Sequence, residues 1–206
     1  MSYYSILPHP PYNSVDFAIW KDGFTQEECN KIIHLSEQQS PSHSTIGAGN
    51  KISMENTIRK SLQSWIKLSS ETEWVYNKLG NISRCLNGIH WRYDISGFSE
   101  DIQYTRYNKD SFYGWHTDSG IPTISDITCD PQKSHPQRKL SLTLQLSAPH
   151  EYEGGDFQIH SSRLNTCPKE QGLVIVFPSH SLHQVTPVTK GIRRSLVVWL
   201  CGPPLR

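Results

Sequence analysis

Between Ile89 and Leu200 no stretch of this sequence carries a helical period, and that absence limits the fold more than any other feature. The segment breaks instead into eight short β-rich runs separated by turn residues: 89–95, 101–107, 113–118, 139–147, 156–160, 173–177, 183–188 and 193–200. Strands in series with no helix between them predict a sandwich or a jelly roll. Helices are confined to the first half. Thr25-Gln26-Glu27-Glu28 is a capping box, hydroxyl and carboxylate each satisfying a free amide, and Cys29, Ile32 and Ile33 with Leu35 or Ser36 continue one face to about Gln39. Ser70-Glu71-Thr72-Glu73 reads as a second box before Val75, Leu79, Ile82 and Leu86, whose spacing predicts an amphipathic helix stopped by Asn87-Gly88. Both helices are expected to cover one outer face of the sheet. Val15–Trp20 alternates like a strand and ends in the turn Asp22-Gly23, while the type of the Leu62, Trp65, Ile66 and Leu68 segment stays open.

The 206 residues, 35% of them hydrophobic, suit one domain around one core, with 1–97 as helical support and first strands and 98–204 as the β core. A formal charge of +1, from 20 basic and 19 acidic residues spread along the chain, gives no electrostatic reason to expect nucleic acid or an anionic membrane as partner. Cys29, Cys85, Cys129, Cys167 and Cys201 are odd in number and form no Cys-x-x-Cys pair, against both a disulfide framework and a zinc knuckle. With no basic start before an apolar run, and no apolar stretch near the roughly twenty residues a spanning helix needs, a soluble protein of the cytoplasm is expected.

Three segments carry no period: 1–13 reads as an extended or a disordered arm, 40–51 as a loop, and 119–138 as either a substrate lid or an idle insertion.

Chemistry concentrates in Tyr113-Gly114-Trp115-His116-Thr117-Asp118. Ten histidines and nineteen acids make about one His-x-acid triplet expected by chance, so the triplet alone proves little. Side chains two apart on a strand share a face, which points His116 and Asp118 together and Trp115 and Thr117 away. His183, opening another run, can lie nearby in a jelly roll. Two imidazoles and a carboxylate on one side of a metal leave positions open, the arrangement suited to non-haem iron(II). Alternation puts Arg193 and Ser195 on one face and Arg194 on the other; a buried arginine beside a hydroxyl is a carboxylate clamp, with a structural salt bridge as the alternative. His180 sits in the turn entering its strand, and Trp115 and Trp199 read as core.

From about Gln103 to Pro204 the chain resembles the iron(II)/2-oxoglutarate-dependent oxygenases of the prolyl 4-hydroxylase-like group, particularly the bacterial PKHD-type branch. The resemblance rests on Gln103-Tyr104-Thr105-Arg106-Tyr107, Tyr113–Asp118, Arg138–Ser147, Tyr152-Glu153-Gly154-Gly155-Asp156, and Val176-Phe177-Pro178 through His183–Val188 to Gly191-Ile192-Arg193. Asp22-Gly23-Phe24, Glu28-Cys29 and Arg59-Lys60-Ser61 are similar more weakly. It implies an α+β, mainly β, double-stranded β-helix (jelly-roll or cupin-like) core, with iron(II) on His116, Asp118 and His183. It further implies 2-oxoglutarate as cosubstrate with its C5 carboxylate on Arg193, O2, and ascorbate as auxiliary reductant. A family tyrosine lines the cosubstrate pocket; Tyr107 matches it best, Tyr104 is the lesser candidate, and either can equally be core. The reaction implied yields succinate and CO2 while a C–H bond is hydroxylated, on a prolyl peptide or another small-molecule, peptide or protein substrate. A cupin-like metal or small-acid binding module and a zinc hydrolase are the competing readings, and Arg193 argues against both, since neither needs a carboxylate clamp.

Overall fold

The structure is a computed structural model that describes residues 15–39, 42–43, 58–98, 100–119 and 137–203. The segments 1–13 and 40–51, and most of 119–138, therefore lie outside the described residues apart from Ser42–His43, Ser119, Gln137 and Arg138. In chain order the elements are β1 (Ala18–Trp20), α1 (Gln26–Glu37), β2 (Ser42–His43), β3 (Arg59–Lys60), β4 (Leu62–Ile66), α2 (Glu73–His90), β5 (Gly97–Phe98), β6 (Ile102–Tyr107) and β7 (Phe112–His116). There follow β8 (Gln137–Gln145), β9 (Tyr152–Gly154), β10 (Phe157–His160), β11 (Leu164–Thr166), β12 (Val174–Pro178), β13 (Leu182–Val185), β14 (Val188–Gly191) and β15 (Arg193–Gly202).

The larger sheet runs β1-β12-β8-β15-β6-β4-β2, with β5 beside the end of β15, and the smaller runs β11-β10-β13-β7-β3; β9 and β14 form a ribbon. The pairings are antiparallel, and the order skips between distant strands as a jelly roll requires. Tyr107, Ile175 and Phe177 of the larger sheet meet Phe157, Ile159 and Val185 of the smaller in one apolar cluster, so the two sheets face each other. The opposite face of the larger sheet carries Leu140, Leu142, Leu144, Val174, Val176, Leu196, Val198 and Leu200, packed on Cys29 and Ile32 of α1 and Leu79, Ile82 and Leu86 of α2. Fully burying one such aliphatic side chain stabilises by about 1.5–3 kcal/mol. The helices thus cover one outer face, as the periodicity predicts.

The capping box at α1 is formed: Thr25 N–H donates to Glu28 Oε2 at 2.7 Å and Glu28 N–H to Thr25 Oγ1 at 3.2 Å. The one expected at α2, with Ser70 as its cap, is not: the helix begins only at Glu73, and the Thr72 hydroxyl before it donates to Lys67 O at 2.6 Å and accepts from Ser69 N–H, closing the preceding turn instead. Nor does α2 stop at Asn87-Gly88. It runs to His90, and the Asn87 carbonyl accepts from Trp91 and Arg92 while its side-chain amide exchanges hydrogen bonds with the Tyr93 backbone. Residues 89–95, expected as a strand, are therefore a helix end and its cap.

The undecided segment after Ser61 is a strand, β4, and with β3 it brings the first half of the chain into both sheets. The run 183–188 is two strands, broken at Thr186-Pro187, where Thr186 ties back to Asp156. At the end of α1, Glu37 Oε1 accepts from the Tyr104 hydroxyl and from Arg194 Nε, each at 2.9 Å, joining the helix to β6 and β15. Among the described residues no helix is long and apolar enough to cross a membrane.

Candidate metal centre

β7 and β13 are neighbours in the smaller sheet, and His116 and His183 are Cα partners across them. Their ring centroids lie 4.1 Å apart. Nδ1 of His116 is 2.8 Å from Gly114 O, and Nδ1 of His183 is 2.9 Å from Ser181 O. A carbonyl can only accept, so Nδ1 carries the hydrogen in both rings, which leaves Nε2 as the nitrogen able to offer a lone pair to a metal. Burial first, and the neighbouring His183 second, hold His116 well below the usual imidazole range, which keeps that lone pair free at neutral pH. The rings are wedged in place: Tyr113 stacks on His116 at 3.4 Å, and Phe177 and Phe157 meet His183 nearly edge-on at 4.8 and 5.7 Å.

Asp118 joins them by a route that strand alternation does not supply. β7 ends at His116, and the chain then bends so that the amides of Asp118 and Ser119 both donate to Ser179 O at 2.9 Å. The carboxylate oxygens stand 3.8 Å from His116 Nε2 and 3.5 Å from His183 Nε2, too far for good hydrogen bonds. Oδ2 is buried without a partner. Ligand atoms of the three residues all lie within 4.8 Å of one another. A buried carboxylate and two imidazole nitrogens converging on one point gather electron-rich ligand atoms, and a divalent cation bound there offsets the cost of burying them. The residues fit an iron(II) ion.

Arg193, at the start of β15, is 1% exposed and faces the space between the sheets. Its Nη1 donates to Ser195 Oγ at 3.3 Å and its Nη2 to Gln145 Oε1 at 3.1 Å, while Nε has no partner. Among the described residues it makes no salt bridge; its surroundings are neutral, with the Tyr107 ring 5.2 Å below the guanidinium. A buried guanidinium without a counter-charge is costly, and a planar carboxylate is the group its fork matches. Gly155 leaves room for this side chain: a Cβ there would sit 3.1 Å from Arg193 Cδ and 2.9 Å from Val188 Cγ2, at a φ of +59°.

Tyr107 is the Cα partner of Arg193 and lies in the inter-sheet cluster. Tyr104 does not share that space. Three residues away on a strand is the opposite face, where its ring packs under the helices and its hydroxyl is committed to Glu37. Arg194 likewise faces the helices. Trp115, expected in the core, is 41% exposed and packs edge-on against His160 on the outer face of the smaller sheet, over which no helix lies among the described residues. His180 is exposed at the turn before β13. Arg59, which no spacing argument singled out, is buried with its guanidinium 4.4 Å over the Tyr113 ring. A two-residue strand offers no period from which to read its side.

The sequence profile described as the 2OG-Fe(II) oxygenase superfamily matches residues 102–201. A PKHD-type hydroxylase of Teredinibacter turnerae is 31% identical over 148 residues, covering 70% of this chain and 62% of that protein. One from Pseudoalteromonas atlantica is 37% identical over 101 residues, 48% of this chain and 41% of the other. The chain thus spans less than two thirds of the length of these relatives. Among solved structures, the viral collagen prolyl hydroxylase of Paramecium Bursaria Chlorella virus-1, in its 2OG complex, superposes with a TM-score of 0.67 at 21% identity, covering 91% of this chain and 97% of that one. A Trichoplax adhaerens prolyl hydroxylase in complex with a hypoxia inducible factor peptide fragment gives 0.69 at 15%, covering 90% and 83%. At such identities the likeness is one of fold.

Proposed function

We propose, from the match of residues 102–201 to the 2OG-Fe(II) oxygenase superfamily and the 31% identity to a PKHD-type hydroxylase, that this chain belongs to that superfamily and is an iron(II)- and 2-oxoglutarate-dependent hydroxylase in which His116, Asp118 and His183 hold the metal. Iron bound there supplies the redox chemistry by which O2 and 2-oxoglutarate become succinate, CO2 and a hydroxyl group on an unactivated C–H bond. The chain's own residues do the positioning. The two imidazoles present their Nε2 lone pairs because Gly114 and Ser181 hold the other nitrogen's hydrogen. Asp118 contributes the anionic ligand, fixed through the Ser179 carbonyl. Arg193, with Ser195 and the Tyr107 ring, receives the distal C5 carboxylate, while Phe157, Phe177 and Val185 keep the interior dry.

The observation that carries this reading is the pairing, among the described residues, of a buried Arg193 with no carboxylate partner and a buried Asp118 whose Oδ2 has no donor. A binding module of the cupin kind needs neither together. The whole chain reads as one domain, and a prolyl peptide, another peptide or a small molecule as its substrate. Purified protein given Fe(II), 2-oxoglutarate and O2 should release succinate and lose that activity on His116→Ala; equal release from the variant overturns the assignment. Mass spectrometry for one added oxygen across a proline-peptide library tests the substrate.

A further inference from the structure

Among the described residues the buried charged groups, histidine aside, are Arg59, Asp118, Lys139 and Arg193. Lys139 has no hydrogen-bond partner at Nζ among the described residues, and burial lowers its pKa against the opposing charge of Asp94, so it can shed its proton as a guanidinium cannot. With the function proposed above, a divalent ion and the two carboxylates of 2-oxoglutarate, set against Asp118 and Arg193, cancel one another. Arg59 is left over.

Its position makes that surplus charge informative. Arg59 sits on β3, the edge strand of the smaller sheet, paired with Tyr113 of β7, yet its Nη2 donates to Gln103 of β6 in the larger sheet at 3.0 Å. The side chain therefore spans the gap between the sheets. Its other partners are neutral too: Nε donates to Ser61 Oγ at 2.9 Å, and the Gln63 amide accepts from the guanidinium when its oxygen is turned inward. Arg59 is 7% exposed and makes no salt bridge among the described residues. One aromatic ring separates it from the metal ligands, since the Tyr113 ring under its guanidinium also stacks on His116. Alkyl-stemmed lysine could cover an aromatic ring as well; what distinguishes arginine is a rigid fork of donors shaped for a carboxylate.

We propose that Arg59 receives a carboxylate of the substrate, so that the molecule hydroxylated is an acid, held by this guanidinium with its reacting carbon toward the metal ligands. This rests on the oxygenase reading, and the shared chemistry comes either from a free acid or from an acidic residue beside the reacting one in a peptide.

The test uses the full chain loaded with Mn(II) and 2-oxoglutarate, where the paramagnetic ion broadens the proton signals of anything bound beside it. One arm compares N-acetyl-L-proline with N-acetyl-L-prolinamide; the other compares end-blocked Ala-Pro-Asp-Ala with Ala-Pro-Asn-Ala. In at least one arm the acid should bind roughly tenfold or more tightly than its amide, the scale of one charge-assisted hydrogen bond, and the arm that responds tells free acid from acidic peptide. Arg59→Gln should erase the preference while 2-oxoglutarate still binds, and Arg59→Lys should retain part of it; if the glutamine variant fails to fold, the lysine variant carries the comparison. Equal binding of acid and amide in both arms, or a preference that Arg59→Gln or Arg59→Lys leaves untouched, overturns the proposal. Failure of 2-oxoglutarate to bind the Mn(II) protein would instead strike the oxygenase reading itself.

Discussion

His116 and His183 are direct partners across the antiparallel pair β7–β13, with rings 4.1 Å apart, so the two imidazoles of the candidate centre are placed by the hydrogen-bonded ladder of the sheet and not by a loop. Asp118 alone depends on a bend, and the bend is pinned to Ser179.

Metal should therefore stabilise the fold through these three residues. An ion at a hundred times its dissociation constant adds about 2.7 kcal/mol. Thermal unfolding of the wild type should move up with Mn(II), and that of His183→Ala or Asp118→Asn should not. Without metal, Asp118→Asn should unfold no lower than wild type, because it removes a buried carboxylate whose Oδ2 has no partner. A metal-induced rise that survives either substitution would contradict the assignment.

Arg193→Gln separates cosubstrate from metal. Truncating a buried partner of a carboxylate costs about 2–5 kcal/mol, roughly thirtyfold or more in 2-oxoglutarate affinity. Calorimetric titration should show that loss with Mn(II) affinity unchanged; equal weakening of both would mean the site had simply collapsed.

Two glycine substitutions should act in opposite directions. Gly155→Ala forces a side chain into a φ of +59° and against Arg193 Cδ and Val188 Cγ2, costing about 1–2 kcal/mol and weakening 2-oxoglutarate binding. Gly88→Ala, within α2 and with open space around the added carbon, should stabilise by up to about 1 kcal/mol. Chemical denaturation of both variants checks the pair.

The Glu37 junction gives a pH signature. Burial alone would raise its pKa, but hydrogen bonds from Arg194 and Tyr104 and the charges of Arg194 and Arg106 outweigh it and hold the carboxyl below its ordinary range. The stability it contributes is thus complete above the unfolded carboxylate value and is lost as pH falls through the folded one. Its partial exposure keeps the effect modest. Unfolding midpoints of wild type and Glu37→Gln should differ at neutral pH and converge on acidification; a gap that widens in acid would reverse the sign.

What was legible in the sequence was whatever depends on near neighbours. Thr25 and Glu28 satisfy each other's amides three residues apart, and the parity of Arg193, Arg194 and Ser195 follows from the pleat, so both could be read from spacing. Tyr104 and Tyr107 stand an odd number of residues apart on one strand, which already forbids both from lining one pocket; alternation held that answer, and it falls on Tyr107, the better match by resemblance, over Tyr104. Asp118 reached its expected side for a different reason, because its anchor, Ser179, is remote in sequence and main-chain carbonyls leave no mark in composition. In α2 the anchor is near but of an unexpected kind: the Asn87 side chain holds the Tyr93 backbone after the helix has run past Gly88. In β4 burial falls on both faces, since α1 covers one side and the sheet interior the other, so no clean alternation was available. Arg59 declares itself only once Gln103 is brought across the gap.

The alternation along β15 has a further consequence for how such a chain can diverge. Leu196, Val198 and Leu200 look toward the helices, while Arg193 and Ser195 look into the interior. Adjacent codons therefore answer to different pressures, one set to persistence of the fold and the other to the identity of what is bound. A lineage drifting toward a new substrate would accumulate its changes along this strand with a stride of two, leaving Arg194 on Glu37 and Leu196, Val198 and Leu200 apolar. Substitution records read at that stride would separate a change of ligand from a change of thermal niche.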